Sequence, residues 1–417
     1  MTTVDQNRAP REVLFLCVTF PAVSETFIFD QMAALRANGA SLRIVSLWRE
    51  RIDRMQKIIG TMKLLEVSRY CLAGRGRFYQ AINVLVAFAR LVAWRPRTAA
   101  ALLGLKNKGR SWKDIAWLIL FGRHLMHTSS QRLTVANFGM IGRMATDLRR
   151  LGLIRGPIVT YFHGFDVISL PKLHGADYYK DLFQAGDRFL IASPHFRQQL
   201  EDIGCPPDRI VYAPVGIDVT EFPWRQDPPL QTRTTFRIVT IARLTEKKGH
   251  RYILEAIGKL AAKYPLTYDI IGEGSLSPVL RQQAQALGIS EIVRFHGAKL
   301  RQDVVALLEQ ADAFVQASVT TELGDQEAIP VSIKEAMSRG VPVIATWHGG
   351  IPHLIRNNQN GLLAAEKDAD DLACQIERLI KDRSLGQSLA KEARETIVRE
   401  WDNAVLMPNF VDMVSSV

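Results

Sequence analysis

Short apolar runs that alternate with longer helical stretches constrain this chain most. Five such runs, at 12–20, 41–47, 158–163, 188–192 and 210–214, precede a polar, proline-rich break at 224–235, and five more, at 236–242, 266–272, 292–297, 313–318 and 341–346, follow it. Strands apolar on both faces must be covered on both faces, and strands separated by helix-length segments pair in parallel through crossovers. The pattern predicts an α/β fold of two doubly wound, Rossmann-like domains at 1–224 and 225–400. A C-terminal helix at 401–417 is expected to pack back on the first domain, and ligands to enter a cleft at the carboxyl ends of the strands. With 417 residues and 47% hydrophobic content, the chain is long enough for a core in each domain.

Cys17, Cys71, Cys205 and Cys374 lie far apart with no metal-ligand spacing, which reads as reduced core thiols. The N-terminal segment lacks the basic-then-apolar pattern of a secretory signal, and no apolar run reaches membrane-spanning length. These features suit a cytoplasmic protein. Charge is uneven: residues 51–125 hold fifteen Lys and Arg against three acids, a local +12 beside +11 for the whole chain. The same segment carries helical stretches at 81–94 and 112–121 with Phe88, Trp94 and Trp112, and Gln80, Asn83, Arg90 and Arg97 near one stripe. This predicts a helix lying in an anionic membrane interface, ahead of the plainer reading that these helices pack on their own domain. Nucleic acid is the third and weaker option and none is expected as a partner, because no recognition motif accompanies the charge.

Candidate site residues concentrate in the second half. Glu327 precedes Pro330, expected at the first helical position, and Glu335 lies within the helix that runs to Ser338 and stops at Gly340. A strand and the turn Gly349-Gly350-Ile351-Pro352 follow. An isolated pair of glutamates in this setting would be a cap and a solvated face residue. Arg243, Lys247 and Lys248 follow the first strand of the second domain and open a helix at Gly249, so cations and free amides converge where a diphosphate would sit. His163 ends a strand of the first domain in His163-Gly164-Phe165-Asp166, and Gly272 lies in a Gly-Glu-Gly turn. Ser24 and Thr26 are candidate caps of the helix after the first strand. Asp368-Ala369-Asp370 reads as a helix cap and not a metal site.

In spacing, the segment from Glu327 to Pro352 resembles the donor site of retaining family-4 glycosyltransferases, and Arg243-Leu-Thr-Glu-Lys-Lys-Gly249, His163-Gly-Phe-Asp166, the 214–218 turn and the 271–275 turn resemble further elements of that family. Pro21-Ala-Val-Ser24-Glu-Thr26-Phe27 is similar to the branch that builds exopolysaccharides of the colanic-acid type. The resemblance implies a GT-B fold, metal-independent transfer with retention, and His163, Glu327, Arg243 and Lys248 as catalytic groups. It implies donor contacts from Glu335, Arg243, Lys248, Gly349, Gly350, Ile351 and Gly272. The donor would be a nucleotide-diphosphate sugar, a UDP-sugar ahead of a GDP-sugar. The acceptor would be a polyprenyl-diphosphate-linked or other saccharide, with the protein peripheral at the inner face of the cytoplasmic membrane. Ala328, His353 and the Asn137-Phe138-Gly139 turn depart from the family pattern. The alternatives are a soluble transferase or phosphorylase acting on a small acceptor, and a catalytically silent scaffold.

Overall fold

The computed structural model describes residues 12–22, 25–49, 63–72, 74, 76–126, 133–225 and 234–417. Ser24, the basic residues Arg51, Arg54, Lys57 and Arg75, and most of the break at 224–235 lie outside them. Two compact units emerge: one comprises the chain to Ile191 with Arg197–Ala213 and Met407–Val417, the other Ala192–Phe196 with Pro214–Leu406. The chain joins the second unit at Pro214, ahead of the polar break, because Ile217, Val219 and Phe222 pack into that unit's core.

The first unit holds a seven-stranded sheet of β1 (Glu12–Thr19), β2 (Ser41–Trp48), β3 (Ser68–Leu72), β4 (Leu133–Asn137), β5 (Ile158–Phe162), β6 (Arg188–Ile191) and β7 (Ile210–Tyr212). Its order is β3-β2-β1-β4-β5-β6-β7 and every pairing is parallel. The second unit holds β8 (Phe236–Ile241), β9 (Leu266–Ile271), β10 (Val293–Gly297), β11 (Ala313–Gln316), β12 (Val343–Thr346) and β13 (Leu362–Ala364), ordered β10-β9-β8-β11-β12-β13 and again all parallel. Each sheet therefore has the doubly wound reversal, beside β1 and beside β8, where ligand loops gather. Ile238 packs on one face of the second sheet and Val239 on the other, so helices cover both.

Three strands escaped the periodicity. β4 is wholly buried yet carries Thr134 and Asn137, β3 is a half-polar edge, and β13 is three residues long. Seven of the ten expected strands also end one or two residues early, since His163, Gly272 and their counterparts have turned into loops, whereas β2 runs one residue longer and β10 and β12 end as expected. At the helix Thr26–Ala37, Glu25 occupies the cap position and no side chain caps, so Thr26 is the first helical residue and not its cap. Asp368 does cap Ala369–Lys381, accepting from the amides of Asp370 and Asp371 at 2.9 Å. Cys17, Cys71 and Cys205 are buried, whereas Cys374 is exposed.

Helix Arg77–Trp94 has two faces. Ala87 and Leu91 are buried and Val84 and Phe88 pack against the first unit's core, while Phe78, Ile82, Leu85, Val86 and Val92 point outward, Phe78 with 81% and Leu85 with 66% of its surface exposed. Helix Trp112–Leu125 differs from the expectation of an interfacial helix. Ile115, Leu118, Ile119, Leu120 and Phe121 are core residues, and only its first turn, with Trp112 and Lys113, faces out. Ser111 starts it with a capping box to Asp114. No helix among the described residues is long and apolar enough to cross a membrane.

Part of the basic excess is structural. Arg110, 6% exposed, bonds both carboxylate oxygens of Asp147, at 2.7 and 3.1 Å, and Asp181 at 2.9 Å; Arg143 bonds Asp114 at 3.0 Å. Asp147→Ala leaves Arg110 only the partly exposed Asp181, so it should lower unfolding free energy by about 3 kcal/mol, the lower end for a broken buried pair. Urea titration followed by far-UV circular dichroism measures this, and a loss below about 1 kcal/mol, the range of surface pairs, would contradict it.

Candidate functional site

In the second unit the loops leaving the carboxyl ends of β8, β11 and β12 meet. After β8 the chain makes a single tight turn at Glu246–Lys248, reverses at Gly249 with φ of +65°, and begins helix His250–Ala261. A Cβ at Gly249 would lie 1.6 Å from the carbonyl oxygen of Ala317, so only glycine lets this turn press against the end of β11. The Val319 amide donates to the Lys247 carbonyl at 2.9 Å. Both lysine side chains thereby reach the 320–330 loop.

That contact is ionic. Lys248 Nζ lies 2.9 Å from Glu327 Oε1, and Lys247 Nζ lies 3.0 Å from Asp325 Oδ2 and 3.6 Å from Glu327 Oε1. Burial alone would raise the pKa of Glu327, but Lys248 and then Lys247 bring it down to about 2. Burial also lowers the pKa of Lys248, against the pull of Glu327. Arg243 is exposed and forms no ion pair among the described residues.

Gly349 and Gly350 pack onto the backbone of Glu327 and Ala328: Cβ atoms there would come within 2.3 Å of the Glu327 carbonyl and 1.9 Å of that of Ala328. The Gly350 amide donates to the Glu327 carbonyl at 3.1 Å. Beside them His348, fully enclosed, contacts Glu366 Oε2 through Nδ1 at 2.8 Å and accepts the Glu327 amide at Nε2, at 3.1 Å. Ile351 is buried in the second unit's core. Gly272, φ +140°, abuts the Ala242 carbonyl and donates its amide to Gly297 at 2.9 Å.

Glu335 lies on helix Val331–Ser338, with Pro330 standing just ahead of the first helical residue instead of at it. Its carboxylate has no hydrogen-bond or ion-pair partner among the described residues, and burial pushes its pKa up to about 7 against the pull of Arg301 and Lys334. The adjacent Lys334 is fully buried, its ammonium donating to the Val215 carbonyl at 2.6 Å over the Trp401 ring, and burial lowers its pKa to about 7.

In the first unit His163 sits among the rings of Phe27, Phe138 and Tyr161, at 4.5, 4.9 and 4.2 Å between centroids, with Nε2 3.4 Å from Asn137 Oδ1. Burial holds its pKa near 3, so the ring is neutral at physiological pH. Asp166 gathers the surrounding loops, accepting the amides of Gly139, His163 and Gly164 at 2.7, 2.9 and 3.0 Å.

The structure thus brings Lys248, Glu327, Gly349 and Gly350 into contact, sets Glu335 on the helix that follows Glu327, and leaves Arg243 exposed. Sequence reading missed the partnering roles of Asp325, His348 and Glu366. An acid two residues from Glu327 and a histidine beside the glycine pair were the available signals, and neither has a spacing rule.

The profile of the Glycosyltransferase Family 4 group matches residues 24–221, and that of Glycosyl transferases group 1 matches 224–396. The chain is 31% identical over 424 residues to WcaL of Salmonella typhimurium, a glycosyltransferase named for colanic acid biosynthesis, covering 97% of this chain and 100% of that one. It is 28% identical to the amylovoran biosynthesis glycosyltransferase AmsK of Erwinia amylovora, covering 94% and 97%. Among solved structures, Anabaena HepE in complex with UDP and glucose superposes with a TM-score of 0.72 at 16% identity, over 98% of this chain and all of that one. These likenesses carry the two-domain GT-B fold.

The depressed pKa of Glu327 makes a pH-dependent contribution to stability. It is present in full above the ordinary glutamate value of 4.5 and is lost as pH falls through about 2. Wild type should therefore be more stable than Glu327→Gln near neutrality, with the gap closing below pH 4.5. A gap independent of pH in acid titrations of urea unfolding would refute the assignment.

Proposed function

Since this chain is a member of the family-4 glycosyltransferases, we propose that it moves a sugar from a nucleotide-diphosphate sugar to a lipid-linked saccharide, with retention at the anomeric carbon, during exopolysaccharide assembly. The Lys248–Glu327 contact is the observation that carries this reading: a cation suited to a leaving diphosphate and a carboxylate suited to sugar hydroxyls meet at one point. The naming of WcaL and AmsK for colanic acid and amylovoran synthesis supports the polymer class.

In the proposed reaction an acceptor hydroxyl attacks the anomeric carbon on the face from which the diphosphate departs. The carbon–phosphate oxygen bond breaks, the hydroxyl proton passes to a departing phosphate oxygen, and the nucleoside diphosphate leaves. Lys248 and Arg243 stabilise the charge on the phosphates, the Glu327 carboxylate and the Gly349–Gly350 backbone orient the sugar, and Glu335 accepts the ribose hydroxyls. His163, neutral, serves as a hydrogen-bonding group toward the transferred sugar. No step requires a metal ion. A UDP-sugar is the first candidate donor, UDP being the nucleotide bound by HepE, and a GDP-sugar the second.

The outward face of helix Arg77–Trp94 supports peripheral attachment to an anionic membrane. The helix also exposes Arg90 and Trp94, the following segments expose Arg97, Lys106, Trp112 and Lys113, and each basic residue near such a surface contributes on the order of 1 kcal/mol. The site at the cytoplasmic face is part of the same proposal.

Four outcomes are expected. In a thermal-shift panel of nucleoside diphosphates, one ligand at about a hundred times its dissociation constant should stabilise the protein by roughly 2.7 kcal/mol. Lys248→Ala should lose that shift and about 10²–10³ in transfer rate, with Lys247 left to neutralise Glu327; near-normal turnover would remove this account of the diphosphate site. Because Glu335 must be ionised to accept two hydroxyls, nucleotide affinity should weaken as pH falls through about 7, and Glu335→Gln should flatten that profile. The protein should co-sediment with vesicles containing phosphatidylglycerol but not with pure phosphatidylcholine, and Leu85→Glu should release it; equal binding of both proteins would point away from this helix.

A further inference from the structure

We propose that His348 and Glu366 form a positioning pair that clamps the peptide of Glu327 and thereby sets where the donor sugar meets that carboxylate. The inference rests on the reading of Glu327 as a donor-sugar ligand, and assigns work to two residues outside it.

Hydrogen-bond chemistry decides the protonation. A backbone N–H can only donate, so the Nε2 that faces the Glu327 amide at 3.1 Å carries a lone pair. The ring proton then lies on Nδ1, where it is donated to Glu366 Oε2 at 2.8 Å. Glu366 accepts in addition the amide of Thr320 at 2.7 Å and its hydroxyl at 3.3 Å. One carboxylate thus anchors the 320–327 loop at both ends, directly at Thr320 and through His348 at Glu327. Gln326 closes the loop internally by donating to the Thr320 hydroxyl at 3.2 Å.

The Glu327 peptide is held on both sides. His348 takes its N–H, and the Gly350 amide donates to its carbonyl at 3.1 Å. Only the side chain remains to be placed, and Lys248 and Lys247 place it. A second proton on His348 would set an N–H against the Glu327 N–H and open the clamp. The ionisable groups facing His348 are Glu366, Glu327 and His195; burial and His195 oppose that proton, and the two glutamates favour it.

The test combines hydrogen exchange of peptides spanning 320–328 with calorimetric titration of UDP and UDP-glucose, on wild type, His348→Ala, His348→Gln and Glu366→Ala. Loss of the clamp should raise exchange across 320–328 by about tenfold in His348→Ala and Glu366→Ala while β8 and β11 stay protected. UDP affinity should hold, whereas the extra affinity conferred by glucose should fall by about tenfold. His348→Gln, whose amide oxygen can take the place of Nε2, should restore most of both. Unchanged exchange in His348→Ala overturns the clamp whatever binds. Equal loss of UDP and UDP-glucose overturns the positioning role, leaving a structural one. A wild type with protected 320–328 amides that binds UDP-glucose no tighter than UDP overturns instead the donor-site reading beneath it.

Discussion

An ammonium and a carboxylate withdrawn from water are costly apart and tolerable together, and the Lys248–Glu327 pair imposes that condition on the second unit. The loops after β8 and β11 must come within hydrogen-bonding distance, so Gly249 has to press against the Ala317 carbonyl and the Gly349–Gly350 turn against Glu327 and Ala328. Asp325 follows as the partner of Lys247, leaving two cations and two acids in balance. On the proposed reading an incoming diphosphate competes with Glu327 for Lys248, and the exposed Arg243 meets the negative charge it adds.

The first unit buries a carboxylate by a different route. Among the described residues Asp166 pairs with no cation and instead accepts three backbone amides, and burial carries its pKa up to about 6 although those amides pull it down. Glu327, with lysines beside it, goes to about 2. One arrangement organises backbone around His163, the other holds charge ready at Lys248. On the proposed reading the difference suits a neutral ring in the first unit and a diphosphate site in the second.

The 51–125 segment shows how one composition serves two ends. Arg110 is consumed inside by Asp147 and Asp181, and Trp112–Leu125 turns its apolar residues to the core. Arg77–Trp94 cannot bury its whole circumference, because the core takes only the Val84, Ala87, Phe88 and Leu91 stripe. What remains outside is an apolar face with the exposed Arg90 on the same helix, a surface that water alone serves poorly.

Much of the architecture was legible in the chain, since strands buried on both faces must be apolar and must alternate with helices to run parallel; β4 was hidden because Thr134 and Asn137 satisfy no apolar pattern although they are fully buried. Glu327, Lys248 and the glycine pair were legible as a spacing, and Arg110 as a basic residue. Their partners were not. That Lys248 meets Glu327, that His348 and Glu366 hold the loop, and that Trp112–Leu125 packs inward depend on which loops share a sheet end and which helix stripe finds room. The sequence by itself determined the alternation of elements and the residue types at the loop tips, because these follow from local periodicity and turn chemistry. Only the tertiary structure decided which charges pair, because pairing depends on distances between segments that no spacing along the chain encodes.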